Sequence, residues 1–208
     1  MKLKELIASY LFKDILTLDR IKSPHLLLSI LQALAWQIGN EVSLNELARA
    51  VGESNHQKVG RYVELLEKTF VIRRVGAFST NPRKELRKPV KYYFYDLGVR
   101  NAVAERMGSL AARDGKEIGA LWENFVYMEM LKRSVHARRV FDTYHFWRDK
   151  RGREVDIVRT DGRGGILAVE CKWSPQSVPF TDFLESYPQA KTAVAHPENI
   201  GPAQREWY

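Results

Sequence analysis

The sequence has little cysteine. Cys171 is the sole cysteine among 208 residues, which excludes an internal disulfide framework or a cysteine-rich zinc module and fits a reducing compartment. Long apolar runs are also missing. Leu26 to Ile38 comes nearest, but Ser29, Gln32 and Gln37 interrupt it, and it is shorter than the roughly 20 apolar residues of a membrane span. No basic segment followed by an apolar one opens the chain, so a cytoplasmic protein without a membrane partner is expected. His25, His56, His136, His145 and His196 show no paired metal-ligand spacing and read as structural or surface residues. A G-x-x-x-x-G-K-[ST] phosphate loop is absent, so no ATP site of that kind is expected. What remains is ordinary globular composition, 45% hydrophobic and 28% charged, which excludes collagen-like and fully disordered chains. The length suits one large domain or two small ones.

The net charge of +8 is unevenly placed. Residues 1–100 carry 17 Lys and Arg against 10 Asp and Glu, whereas residues 101–208 are nearly balanced. The two halves therefore have different tasks. Arg73, Arg74, Arg83, Lys84, Arg87, Lys88 and Lys91 gather around a single acid, Glu85. Such a cluster attracts polyanions, or it is a solvated loop that keeps the chain soluble.

In the first half, Leu3, Ile7, Leu11, Ile15 and Leu18 have helical spacing. Ser23-Pro24 opens a second helix, His25 to Trp36, apolar nearly all round and stopped by Gly39-Asn40. Ser43 can cap a short helix with Leu44, Leu47, Ala48 and Val51 inward. After a turn at Gly52, Ser54 is expected to cap a longer helix with Val59, Tyr62, Leu65 and Leu66 inward. This is a helix-turn-helix arrangement, and Lys58 and Arg61 lie on the outer face of its second helix. Phe70 to Val75 and Val90 to Tyr95 read as strands flanking a basic tip, Ala77 to Lys88. Together these elements describe a winged helix over residues 1–97. Its expected partner is duplex DNA, held mostly through backbone phosphates by Lys58, Arg61, Arg73, Arg74, Arg83, Lys84, Arg87, Lys88 and Lys91. Winged helices also serve as protein–protein modules, and Glu64 and Glu67 dilute the charge of the longer helix.

The second half, residues 98–208, opens with a Gly-rich connector around Met107 to Glu117. A helix over Ile118 to Lys132 follows, with Ile118, Leu121, Trp122, Phe125, Met128 and Leu131 on its apolar face and Glu123 beside it. Thr143 to Arg148, Glu154 to Arg159 and Gly165 to Trp173 read as a three-stranded meander. Phe180 to Tyr187 and Lys191 to Ala195 follow as a helix and a strand. Strand alternation puts Glu154 and Asp156 on one face, and Glu170 and Lys172 on one face of the next strand. If those strands are neighbours, Asp156 and Glu170 converge beside Lys172. Two carboxylates at a strand end suit a hard divalent cation such as Mg²⁺, and a nearby lysine can steady charge on a phosphate. Ordinary cross-strand pairing of Glu and Lys explains the same residues without chemistry. Cys171 points away from Glu170 and reads as a core thiol. Trp122, Trp147 and Trp173 read as core or rim packing.

Asp156 followed by Glu170-Cys171-Lys172 resembles the PD-(D/E)XK nuclease signature, with Val155 where that superfamily has proline, and Glu123 matches an acid often placed on its first core helix. A wider set of segments is similar to one family. It comprises Lys13-Asp14-Ile15-Leu16, Gly39-Asn40-Glu41-Val42-Ser43, Leu65 to Ile72, Tyr93-Phe94-Tyr95-Asp96-Leu97-Gly98, Gly119 to Asn124, and Phe146-Trp147-Arg148 with Glu154-Val155-Asp156. These resemble the C-terminal region of a prokaryotic AAA+ ATPase family, in which a winged helix and a PD-(D/E)XK-like domain of unknown function follow the ATPase domain. The resemblance implies an α/β chain made of a winged-helix domain and a restriction-endonuclease-like α/β domain. It also implies Mg²⁺ bound by Asp156, Glu170 and the backbone carbonyl of Cys171, and a phosphodiesterase site of Glu123, Asp156, Glu170 and Lys172. Met1 to Leu18 looks like the end of an ATPase region, so the chain reads as a fragment or a shortened gene product whose partner is an ATPase. The alternative expectation is an inactive nuclease-like fold serving as a DNA-binding or regulatory module of that ATPase.

Overall fold

The computed structural model describes residues 23–79 and 90–200. The expected helix over Leu3 to Leu18, Arg83, Lys84, Arg87, Lys88 and most of the basic tip lie outside them. The described chain is mixed α/β and divides into two compact units, residues 23–74 with 90–112, and residues 75–79 with 113–200.

In the first unit, α1 (Pro24–Trp36) starts with proline in its first turn and buries Leu26, Leu27, Ile30, Leu31 and Leu34. Ser23 precedes it without a side-chain capping bond. β1 (Glu41–Val42) leads to α2 (Leu44–Ala50). The Ser43 hydroxyl accepts from the Glu46 amide at 3.2 Å, and the Glu46 carboxylate accepts from the Ser43 amide at 3.2 Å. This reciprocal box satisfies two otherwise orphaned donors. Leu47 and Ala48 are buried, but Leu44 is exposed. The turn to α3 (His56–Lys68) needs Gly52 at φ +68°. Asn55, not Ser54, caps α3: its Oδ1 accepts from the Lys58 amide at 3.1 Å. Val59, Val63, Leu65 and Leu66 are buried, and Tyr62 is half-buried.

The strand expected from Phe70 begins at Ile72. Phe70 adopts φ +56°, is exposed and packs its edge on Tyr95. A left-handed backbone cannot continue a strand. β2 (Ile72–Gly76) and β3 (Val90–Phe94) join β1 in a sheet of order β1-β3-β2, with β1 antiparallel to β3. β3 does not alternate: all five of its residues are buried, Lys91 included. Asp96 caps α4 (Leu97–Val103) by accepting from the Val99 amide at 2.8 Å. On α4, Arg100 is buried, and its Nε donates to the Ala35 carbonyl at 2.8 Å, tying α4 to the end of α1.

A short 3₁₀ turn (Leu110–Ala112) closes the first unit. In the second unit, α5 (Gly115–His136) is capped by Asp114. β4 (Thr143–Arg148), β5 (Glu154–Thr160) and β6 (Ile166–Cys171) form the expected antiparallel meander. α6 (Thr181–Ser186) returns the chain so that β7 (Lys191–Ala195) pairs parallel with β6, giving the order β4-β5-β6-β7. One core gathers Phe78, Trp147, Val155, Val158, Ala168 and Phe183. Residues 77 and 78 lie along β4, where the Phe78 amide donates to the Phe146 carbonyl.

Replacing Arg100 with methionine leaves the Ala35 carbonyl without its buried donor. The expected loss is about 1–3 kcal/mol of stability, read as a lower urea midpoint for the first unit. An unchanged midpoint would show that the bond contributes nothing.

Candidate functional site

The middle of α5 is buried on almost every side. Leu121, Trp122, Glu123, Asn124, Val126, Tyr127 and Met128 are all enclosed. The Trp122 Nε1 donates to the Ala195 carbonyl at 3.0 Å, which anchors the helix to the end of β7. That anchor holds the neighbouring residue, Glu123, in the interior, 9% exposed. A buried carboxylate is costly unless something compensates it.

β5 supplies the other acids through an irregular register. Trp147 pairs with Val155 and His145 with Val158, so the single residue Phe146 faces both Asp156 and Ile157. This is a β-bulge, which bends a strand and re-aims its side chains. The β5–β6 ladder ends at Ile157 opposite Val169. The next pair in that register, Asp156 and Glu170, falls where the strands part, and there the Cys171 amide donates to Asp156 Oδ2 at 2.7 Å. A side-chain carboxylate has taken the place of a ladder carbonyl.

Carboxylate oxygens of Glu123, Glu154 and Asp156 lie within 4.8 Å of one another. Glu154 is steadied by Arg148, its cross-strand partner, at 3.1 Å. Glu170 stands just outside this triad, with its Oε2 held by Lys172 Nζ at 2.8 Å. Burial, then the charge of Asp156, pushes the Glu170 carboxyl up to about 7, against the pull of Lys172. Burial alone would lower the Lys172 ammonium, but the bond to Glu170 and the charges of Glu170 and Asp156 outweigh it and raise it. The Cys171 thiol is pushed well above its ordinary range by burial, then by Asp156, Glu123 and Glu170.

The donor set fits a hard divalent cation. All three members are carboxylates, the ligands that Mg²⁺, Mn²⁺ and Ca²⁺ prefer. Oxygens on one ion lie at most about twice the metal–oxygen distance apart, roughly 4 Å for Mg²⁺ and about 5 Å for Ca²⁺; the triad, within 4.8 Å, matches the larger ion directly and would draw in slightly around the smaller.

Four of the residues expected to carry the chemistry therefore meet here: Glu123, Asp156, Glu170 and Lys172. Glu154 completes the triad. Its signal was the alternation that pairs it with Asp156. Cys171 engages Asp156 through its amide, whereas the sequence pointed to its carbonyl. Of the basic residues, Arg61 and Arg74 are exposed, Lys58 pairs with Glu53 at 2.8 Å, and Arg73 reaches the Tyr95 hydroxyl at 3.4 Å. Lys91 is 2% exposed and has no surface to offer a phosphate. Trp122 and Trp147 are buried, Trp173 is exposed against Trp122, and Phe125, expected inside, is exposed and stacks on Trp122.

Crowded like charges repel. Asp156→Asn keeps an oxygen for the Cys171 amide and removes one charge from the triad. The expected result is a gain of roughly 1 kcal/mol in the chelator-treated protein, seen as a higher melting temperature. A lower one would contradict repulsion within the triad.

The chain is similar to proteins from several bacteria. An uncharacterized protein of Haemophilus influenzae is 28% identical over 142 residues, 63% of this chain and 33% of the relative. Uncharacterized proteins of Mycobacterium tuberculosis and Mycobacterium bovis are each 28% identical over 166 residues, 79% of this chain and 36% of the relative. The chain thus spans about a third of the length of the curated relatives it matches. No solved structure matches it. Residues 118–200, which contain the acidic triad, match a domain of unknown function, DUF4143. Residues 1–110, more than half of the chain, match another domain of unknown function, DUF8612, and the chain belongs to that family.

Proposed function

We propose that the second unit is a divalent-metal-dependent phosphodiesterase of the PD-(D/E)XK type, and that the first is a winged helix holding duplex DNA through its phosphates. The observation that carries this reading is the convergence of Glu123, Glu154 and Asp156 on one point beside the Glu170–Lys172 pair. The three carboxylates would hold Mg²⁺, which supplies charge stabilisation for a phosphoryl group. The Cys171 amide fixes the orientation of Asp156. Lys172, kept charged by Glu170 and Asp156, steadies negative charge that develops on the phosphate. Arg148 holds Glu154 in place.

The winged-helix reading rests on α2, the Gly52 turn and α3, with β1 before them and β2 and β3 after them in one three-stranded sheet. Asn55, His56, Gln57 and Arg61 are exposed near the start of α3, where polar side chains can meet phosphates and base edges. The domain matched over residues 118–200 is usually found with AAA ATPase domains, which supports an ATPase as the functional partner of this chain. An inactive nuclease-like fold that binds DNA or regulates that ATPase is the second reading. It is favoured by the closure of Lys172 on Glu170 at 2.8 Å, which occupies both groups with each other.

Incubation with supercoiled plasmid and Mg²⁺ or Mn²⁺ separates the two. Cleavage that falls by about a hundredfold in Asp156→Asn and Lys172→Met supports the phosphodiesterase. DNA binding that weakens steeply with salt while every plasmid form stays intact removes the enzymatic claim and leaves the binding module.

A further inference from the structure

At its C-terminal end α5 turns basic. Arg133 and His136 lie in its last turn, and Arg138 and Arg139 follow it. They flank a cavity of about 350 Å³, whose walls include Arg133, His136, Arg139 and Arg159, with Tyr144 and Met130 forming apolar sides. Its position separates it from the acidic triad. Arg159 is three residues along β5 from Asp156, about 10 Å at strand rise. Arg133 is ten residues along α5 from Glu123, about 15 Å at helical rise.

The charges around this cavity do not cancel. Arg159 faces two carboxylates: Asp142, whose Oδ2 already accepts from the Ser134 hydroxyl at 2.5 Å, and Asp161, which already accepts from the Arg163 and Gly165 amides at 2.9 Å. The Arg159 Nη1 approaches the Asp142 oxygen only to 3.8 Å, and the side chain is 16% exposed. Its Nε is buried and has no hydrogen-bond partner among the described residues. A buried guanidinium N–H of this kind is suited to an acceptor brought by a ligand. Basic residues at a helix C-terminus also complement its dipole, which accounts for Arg133 and His136. It does not account for Arg159, which comes from β5.

We propose that this cavity binds a phosphate group, clamped by Arg139 and Arg159, with Arg133 and His136 beside it. Guanidinium groups match phosphate oxygens in geometry and charge. A volume near 350 Å³ is at the small end of ligand cavities, suiting a phosphate on a compact organic body. The Tyr144 and Met130 walls offer that body apolar contact. The phosphate belongs either to a free monoester or to a nucleic-acid backbone. This proposal stands apart from the phosphodiesterase reading, because it needs neither the acidic triad nor a metal.

The test is calorimetric titration of the chain, in chelator, with inorganic phosphate, with AMP and with a short DNA duplex. Phosphate and AMP should bind saturably. Arg139→Gln, a substitution at an exposed position, should weaken both by about tenfold, as should Arg159→Gln. Arg151→Gln, on the β4–β5 turn, should change neither. Duplex that displaces AMP and also weakens in Arg139→Gln identifies the backbone as the source. AMP binding that duplex does not disturb identifies a free phosphate ester. No saturable binding of phosphate or AMP, or binding that both arginine variants leave intact, overturns the proposal.

Discussion

Three carboxylates within 4.8 Å of one another repel, and a fold keeps such a group together only when its framework is stiffer than the repulsion. In the second unit that framework comes from three places. Trp122 bonds the middle of α5 to the end of β7. The break in the β4–β5 register sets Asp156 and Ile157 against the single residue Phe146. The Cys171 amide then takes hold of the carboxylate that the bulge has turned toward it. Removing any of these anchors should let the acids separate. The arrangement therefore spends stability on keeping charge concentrated, a trade expected where a site must receive an ion or a reacting group.

The pair of buried Glu170 and half-buried Lys172 at the edge of the triad sets the tone of its electrostatics. Burial, with the charge of Asp156 beside it, pushes the Glu170 carboxyl up to about 7. Lys172 supplies the balancing charge and stays protonated because both acids favour it. Burial is the larger cause of the Glu170 shift and the charge of Asp156 the second, so a cation held by the triad would offset only the second.

Much of the framework was legible in the residues. Ser43 announced the cap of α2, and β4, β5 and β7 fell within a residue of the strands read from the sequence. Strand alternation made the nearness of Asp156, Glu170 and Lys172 readable, whereas Glu123 was singled out chiefly through the resemblance to the PD-(D/E)XK signature. Other features carry no one-dimensional signal. Phe70 adopts a left-handed backbone that a β-favouring residue hides. Both faces of β3 are covered, so its alternation misled, and Lys91 is buried although it closes a run of cations in the sequence. The bulge places an extra residue in β5 at Asp156 and Ile157 and shows only in the pairing with β4, so no residue of β5 announces it. The basic end of α5 went unseen because the second half is nearly neutral in sum, and Arg159 joins that end only through the sheet.

The most direct measurement on the acidic triad is paramagnetic resonance of Mn²⁺, whose free-ion signal fades on binding. Titration of the chain into Mn²⁺ should quench the signal to saturation at one ion per chain, with Mg²⁺ restoring it and Glu123→Gln preventing the quenching. A free-ion signal that persists at excess protein contradicts a metal centre in this fold.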